Sequence, residues 1–279
     1  MSRALVLGGG GVTGVAWEIG LLAGLADAGV DLRDADVVVG TSAGSSVGAQ
    51  VTSGTDLEEL YQRQLSGPVT EIPARLGIGG LARYVSAMVR HRKHPEVGRA
   101  HLGRLALEAS TVPEAERRAV IAARLPSHEW PARRLLVTAV DAHTGEFRVF
   151  EAGDGVPLVD AVAASCAVPL VWPPVTIGDR RWIDGGVRSP ANADLAAGHD
   201  RVVVVAPMTR ALGPMAATAQ VAALRAAGAR VALVAPDAAA TRAIGRNPLD
   251  PSRREPAARA GRAQAAEAAA QVRSVWLED

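Results

Sequence analysis

Six short runs rich in β-branched residues punctuate the chain: Ala4–Leu7, Asp36–Gly40, Leu135–Val140, Phe147–Phe150, Arg201–Ala206 and Arg230–Ala235. Between them lie longer Ala- and Leu-rich segments with helical spacing. Nearly continuous apolar strands alternating with helices predict an α/β fold whose mostly parallel sheet is covered on both faces. His143-Thr144-Gly145-Glu146, between the third and fourth runs, reads as a hairpin, so part of the sheet should be antiparallel. Ile19, Leu21, Leu22 and Leu25 predict a helix over Gly14–Ala28 with Gly29 as its cap. Ala43–Thr52 reads as a helix directly behind the second run. Met215–Ala227 reads as another, ended by Gly228 and followed by the run Arg230–Ala235 as a βαβ crossover.

Two regions look peripheral. Residues 66–125 form a variable segment without a strong strand, carrying Arg75, Arg83, Arg90, Arg92, Lys93, Arg99 and Arg104. Residues 256–276 predict a helix begun by Pro256 over the Ala-rich stretch Ala257–Gln271, with Val272, Val275 and Trp276 to dock it. No Gly- or Ser-rich linker and no internal repeat divides the chain, so one domain is expected over 1–279.

Composition narrows the picture. Apolar residues make up 48% of the chain but aromatics only 3%, so the core is expected to consist of Ala, Val and Leu. A net charge of +1 gives no reason to expect a nucleic-acid partner. Lys93 is the one lysine, and Cys166 the one cysteine, which excludes an internal disulfide. The longest apolar run, Ala161–Trp172, is too short to span a bilayer, and the first residues lack the apolar stretch of a signal peptide. A soluble, cytoplasmic protein is expected.

The candidate chemistry sits where strands end. Val37-Val38-Val39 runs into Gly40-Thr41-Ser42-Ala43-Gly44 and then into helical sequence. That is the form of a nucleophile elbow, a sharp turn that lifts a serine hydroxyl above the sheet. Gly9-x-Gly11-x-x-Gly14 follows the first run and fits a dinucleotide fingerprint. The acidic residue that such a site needs at the end of the second strand is missing, because the elbow occupies that position. A Walker loop is excluded by Val15 and Ala16 after Gly14. Alone, the glycine run fits a structural turn as well as a functional loop. Beside an elbow, its N–H groups at a helix start can form an oxyanion cradle. Asp184, in Trp182-Ile183-Asp184-Gly185-Gly186, reads either as an Asp-Gly turn or as the base that activates Ser42. His199 is the one histidine downstream of Asp184, yet it precedes a strand and so belongs at the wrong sheet edge for catalysis. His91, His94 and His101 lack the glutamate of a zinc helix, and no metal site is expected.

Gly9–Gly14, Gly40–Gly44 and Asp184-Gly185-Gly186, in that order, resemble the patatin-like phospholipase family. Ser165-Cys166-Ala167-Val168-Pro169, with Pro173, resembles that family's approach to its aspartate. The resemblance implies a three-layer α/β/α fold and a Ser–Asp dyad without histidine, metal or cofactor. Ser42 would be the nucleophile and Asp184 the general base. The N–H groups around Gly9, Gly10 and Gly11 would form the oxyanion hole, with Gly14, Gly40, Gly44, Gly185 and Gly186 shaping the turns. The implied reaction is hydrolysis of a lipid acyl or other carboxylic ester through an acyl-Ser42 intermediate. Transfer of the same acyl group to an acceptor, or lipid binding without turnover, are the alternatives. Two positions depart from the family pattern: Thr13 stands where Arg or Lys is usual, and Pro190-Ala191-Asn192 reverses the usual Asn-x-Pro. The basic residues from Arg75 to Arg104 fit transient contact with an anionic membrane surface as well as a solvated helix face.

Overall fold

Strand β1 (Arg3–Leu7) sends Leu5 and Leu7 into one apolar layer and Ala4 and Val6 into another, as a continuous apolar run predicts for a central strand. The computed structural model describes residues 1–66, 71–209 and 213–278; residues 67–70 of the segment 66–125 lie outside them. The other strands are β2 (Val37–Gly40), β3 (Arg134–Asp141), β4 (Phe147–Phe150), β5 (Val175–Ile177), β6 (Arg180–Asp184), β7 (Arg201–Val205) and β8 (Arg230–Val234). They form one sheet in the order β5-β6-β3-β2-β1-β7-β8, with β4 also on β3. Neighbours from β3 through β2, β1 and β7 to β8 are parallel, whereas β4 and β6 run antiparallel to β3, and β5 to β6. The sheet is therefore mixed, and the expected hairpin is the β3–β4 turn, where Asp141 Oδ1 accepts the N–H groups of His143 and Thr144.

The helices are α1 (Gly11–Asp27), α2 (Ala43–Val51), α3 (Leu57–Ser66), α4 (Ile78–Arg90), α5 (Pro95–Leu107), α6 (Glu114–Arg124), α7 (Leu158–Ser165), α8 (Ala217–Ala226), α9 (Ala238–Ile244) and α10 (Arg254–Trp276). α1, α2, α7 and α10 cover one face of the sheet, while α8 and the turn Ala193–Ala196 cover the other. α4 and α5 enclose a third cluster against Val140 of β3 and Ile183 of β6. Among the described residues no helix is long and apolar enough to cross a membrane.

α1 and α10 meet backbone to backbone. A Cβ on Gly20 would run into the Ala258 carbonyl, and one on Gly261 into the Trp17 carbonyl, so only glycine allows this approach. Trp276 is fully buried and its Nε1 donates to Asp34 Oδ1 at 2.8 Å. The C-terminal helix thus begins at Arg254, before Pro256, and runs through the residues expected to dock it. α1 starts at Gly11, three residues before the sequence predicts, and α8 spans Ala217–Ala226 within the expected Met215–Ala227.

The register on β3 positions the site. β2 pairs with Arg134–Val137, and β6 with Ala139–Asp141. β4 occupies Val137–Val140 and overlaps both, so β2 and β6 must share the opposite edge. One is parallel and the other antiparallel to β3, so they approach head to head. Gly40, opposite Val137, and Asp184, opposite Ala139, end two positions apart.

Candidate active site

The turn after β2 forces Ser42 into φ 53°, ψ −115°, a strained backbone for a residue with a side chain. Glycines on either side are obligatory: a Cβ on Gly44 would strike the Leu7 carbonyl, and one on Gly40 would lie 2.5 Å from Ser45 Cα. The strain is held by bonds on both sides of the residue. Ser42 N–H donates to Ser165 Oγ at 2.9 Å. Ser42 C=O accepts from Ser45 Oγ at 2.7 Å and from Cys166 Sγ at 3.2 Å. Burial pushes the Cys166 thiol above its ordinary pKa, which keeps it a neutral donor. Ser165 and Cys166 belong to the stretch quoted for the family resemblance, but their hold on the elbow is visible only once α7 is packed beside α2.

Ser42 Oγ donates to Asp184 Oδ2 at 2.6 Å. Gly186 N–H donates to Asp184 Oδ1 at 2.7 Å, so each carboxyl oxygen has one fixed donor. Asp184 is buried, and burial pushes its pKa from the usual 3.8 up to about 7, against the lowering effect of the bonds from Ser42 and Gly186. Gly185 has no room for a side chain because Thr138 Oγ1 and its carbonyl occupy that space. A carboxyl poised near neutrality and bonded to a serine hydroxyl is a competent proton acceptor for that hydroxyl.

The glycine loop wraps the same point. An added Cβ on Gly9 would lie 3.4 Å from Ser42 Cβ. Gly9 N–H donates to Pro190 C=O at 2.7 Å, a bond that pins the loop. Gly10 N–H makes no bond among the described residues. Gly11, at φ +63°, and Val12 open α1 and line the recess over Ser42, and their N–H groups have no acceptor within the helix. A Cβ added to Gly14 would meet Pro207 and Ala43 at 3.4 and 3.5 Å, ordinary contact distances. Thr13 is buried, and both its N–H and its Oγ1 donate to Pro248 C=O, at 3.1 and 3.2 Å. It therefore ties the loop down and brings no charge to the site.

Pro190-Ala191-Asn192 supplies a further brace. Asn192, buried and left-handed at φ 50°, donates through Nδ2 to Thr41 Oγ1 at 3.0 Å and to the carbonyls of Ser189 and Gly185 at 3.0 and 3.3 Å. One segment thus links the residue before Ser42, the turn after Asp184 and, through Pro190, the glycine loop. The narrow recess above Ser42 is walled by Ala43, Cys166, Val168, Trp172, Leu249, Arg117 and Arg124. His199 lies in the loop before β7, with Nδ1 beside Ala196 C=O at 3.2 Å, at the sheet edge opposite Ser42. Among the described residues no group of His, Cys, Asp and Glu is arranged to hold a metal ion.

A family model described as Patatin-like phospholipase matches residues 5–197. No curated protein matches the chain. Among solved structures, it is similar to VipD from Legionella pneumophila, at 13% identity and a TM-score of 0.47 over 96% of this chain and 66% of that one. It is also similar to the type III effector protein ExoU, at 16% identity and a TM-score of 0.46 over 99% of this chain and 53% of that one. The chain therefore spans less than two thirds of either protein's length.

Proposed function

Because the chain belongs to the patatin-like phospholipase family, we propose that it is a lipid acyl hydrolase in which Ser42 is the nucleophile and Asp184 its base. The observation that carries this reading is the 2.6 Å bond from Ser42 Oγ to a buried carboxyl titrating at about 7. As Oγ attacks the ester carbonyl carbon, its proton passes to Asp184 Oδ2. The carbonyl oxygen becomes the oxyanion, facing the N–H groups of Gly10, Gly11 and Val12. One such donor lowers the barrier by about 3–4 kcal/mol. Collapse of the tetrahedral intermediate expels the alcohol, which takes the proton from Asp184 and leaves acyl-Ser42. Asp184 then deprotonates a water that attacks the acyl carbon, and the collapse of this second intermediate returns the proton to Ser42 and releases the fatty acid.

Contact with a lipid surface is part of the proposal. α4 exposes Ile78, Leu81, Val85 and Val89 along one stripe, with exposed Arg83 and Arg90 beside it. Its opposite side packs Tyr84 and Ala87 near Leu170 and Ile183, next to Asp184 on β6. An aliphatic stripe edged by cations suits the headgroup boundary of an anionic bilayer, where each cation adds about 1 kcal/mol. The test is release of p-nitrophenol from esters of increasing chain length by wild type, Ser42→Ala, Asp184→Asn and His199→Ala, with fluorophosphonate labelling. Loss in the first two variants alone supports the dyad. Loss in His199→Ala, or no activity and no labelling in wild type, overturns it.

A further inference from the structure

One wall of the Ser42 recess carries more positive charge than its surroundings neutralise. Arg117 and Arg124, seven residues apart on α6, both reach Glu71. Arg124 donates to Glu71 Oε1 through Nη2 and Nε at 2.6 and 2.9 Å, and its Nη1 donates to Ser46 Oγ at 3.2 Å. Arg117 touches Glu71 only at a long 3.5 Å through Nη1, and its buried Nε has no hydrogen-bond partner among the described residues. Its guanidinium is stacked on Trp172, with Cζ 4.0 Å from the ring centroid. Arg254, bonded to Gln64 Oε1 and the Arg63 carbonyl, lies close enough to feel the charges of Glu71 and Arg124. Three guanidinium groups therefore surround the one carboxylate that pairs with two of them.

Burying a surplus cation is costly unless an anion completes it. Burial and the neighbouring Arg124 pull the Arg117 pKa down to about 10, so it still carries its charge at neutral pH. Glu71 is committed to Arg124, and the Trp172 stack fixes the plane of the Arg117 fork. That leaves the buried Nε of Arg117 without an acceptor, on a side chain that lines the same recess as Ser42. A planar guanidinium with an unpaired Nε matches the two oxygens of a carboxylate or phosphate.

We propose that Arg117, backed by Arg124, binds an anionic group, phosphate or carboxylate, carried by the acyl substrate next to its scissile ester, making the site selective for anionic over neutral acyl esters. This rests on the reading of Ser42 as the esterolytic nucleophile. Three esters with one shared acyl chain test it: an acylglycerol, its 3-phosphate and the corresponding acylglycerate. In wild type, kcat/KM for at least one of the two anionic esters exceeds that for the acylglycerol by tenfold or more, mainly through KM. The phosphate and carboxylate arms show which anion is read. Arg117→Gln brings the ratio close to one, and Arg117→Lys keeps part of it. Equal kcat/KM for all three esters in wild type, or an unchanged ratio in Arg117→Gln, overturns the proposal.

Binding of inorganic phosphate and of acetate to Ser42→Ala, measured by calorimetry, gives an arm independent of turnover. At least one anion binds there and is lost when Arg117→Gln is added. Binding with no hydrolysis by wild type would remove the hydrolase reading and keep the anion site. Hydrolysis with neither anion bound would do the reverse. If Arg117→Gln does not fold, competitive inhibition of acylglycerol hydrolysis by the same two anions in wild type, weakened in Arg117→Lys, decides the question; no inhibition by either overturns it.

Discussion

Replacing Asp184 by Asn tests how the site holds its base. The substitution keeps the shape, and both hydrogen bonds survive: the amide oxygen can accept from Gly186 N–H and the amide nitrogen can donate to Ser42 Oγ. What disappears is the ionisation. Burial raises the Asp184 pKa from 3.8 to about 7, a difference of roughly three units. At about 1.4 kcal/mol per unit, the ionised carboxylate costs the folded chain about 4 kcal/mol. The sign follows from linkage. A raised folded-state pKa contributes stability that is fully present below pH 3.8 and is lost as pH rises to about 7. Asp184→Asn should therefore be more stable than wild type by up to about 4 kcal/mol at pH 8. That gap should narrow by about 1.4 kcal/mol per unit between pH 7 and pH 4. Urea unfolding of both proteins across this range measures it, since groups common to both cancel in the difference. Equal midpoints at pH 8, or a gap that ignores pH, would refute the idea that desolvation poises this carboxyl.

The same carboxyl sets the rate profile: kcat/KM should rise through pH about 7 and fall to about a tenth of its plateau one unit below, in a stopped pH series with a soluble ester. Ser42→Ala should lose at least about 10⁴ in kcat and all fluorophosphonate labelling, while His199→Ala matches wild type in both assays. Ser165→Ala frees the Ser42 N–H and should cost about 1–3 kcal/mol, seen as a lower melting temperature with a reduced kcat. Leu81→Asp together with Val85→Asp should abolish co-sedimentation with anionic vesicles yet leave hydrolysis of a water-soluble ester intact; unchanged sedimentation would exclude α4 as the contact.

The strands were the most legible part of the chain. Val202–Val205 and Val37–Val39 are buried on both faces, and such a strand needs an unbroken apolar run that few other elements tolerate. β5 was not anticipated, although Val175-Thr176-Ile177 is β-branched and Gly178, at φ +61°, turns the chain directly into β6. α1 begins before its expected start, where Gly14 N–H donates to Gly10 C=O and Thr13 N–H to Pro248 C=O, a partner more than two hundred residues distant that overrides the low helix propensity of Gly11. Ser42 and Asp184 could be named from local spacing, because each occupies a turn that demands its own glycines. Their braces could not. Ser165, Cys166, Asn192 and the Arg117–Arg124 pair gain meaning only from tertiary neighbours, and the engagement of Gly9 by Pro190 is equally invisible in one dimension. In residues 66–125 the charge was conspicuous, while the aliphatic stripe of α4 needed a helix register to be seen.

The seam between α1 and α10 bears on when the protein can become active during its synthesis. α1 opens with Gly11 and Val12 of the glycine loop, yet its covering partner, residues 254–276, lies outside the stretch 5–197 that the family model matches. On the ribosome, residues 11–27 emerge well over two hundred residues before Gly261, and must wait for it before Gly20 and Gly261 can close the seam. Until then Trp17, Leu21 and Leu25 have no completed apolar layer, and the loop over Ser42 sits on an unsupported helix. The glycine loop over Ser42 therefore gains its full support only once residues 254–276 are in place, and a nascent chain paused before residue 254 should be inert towards a fluorophosphonate.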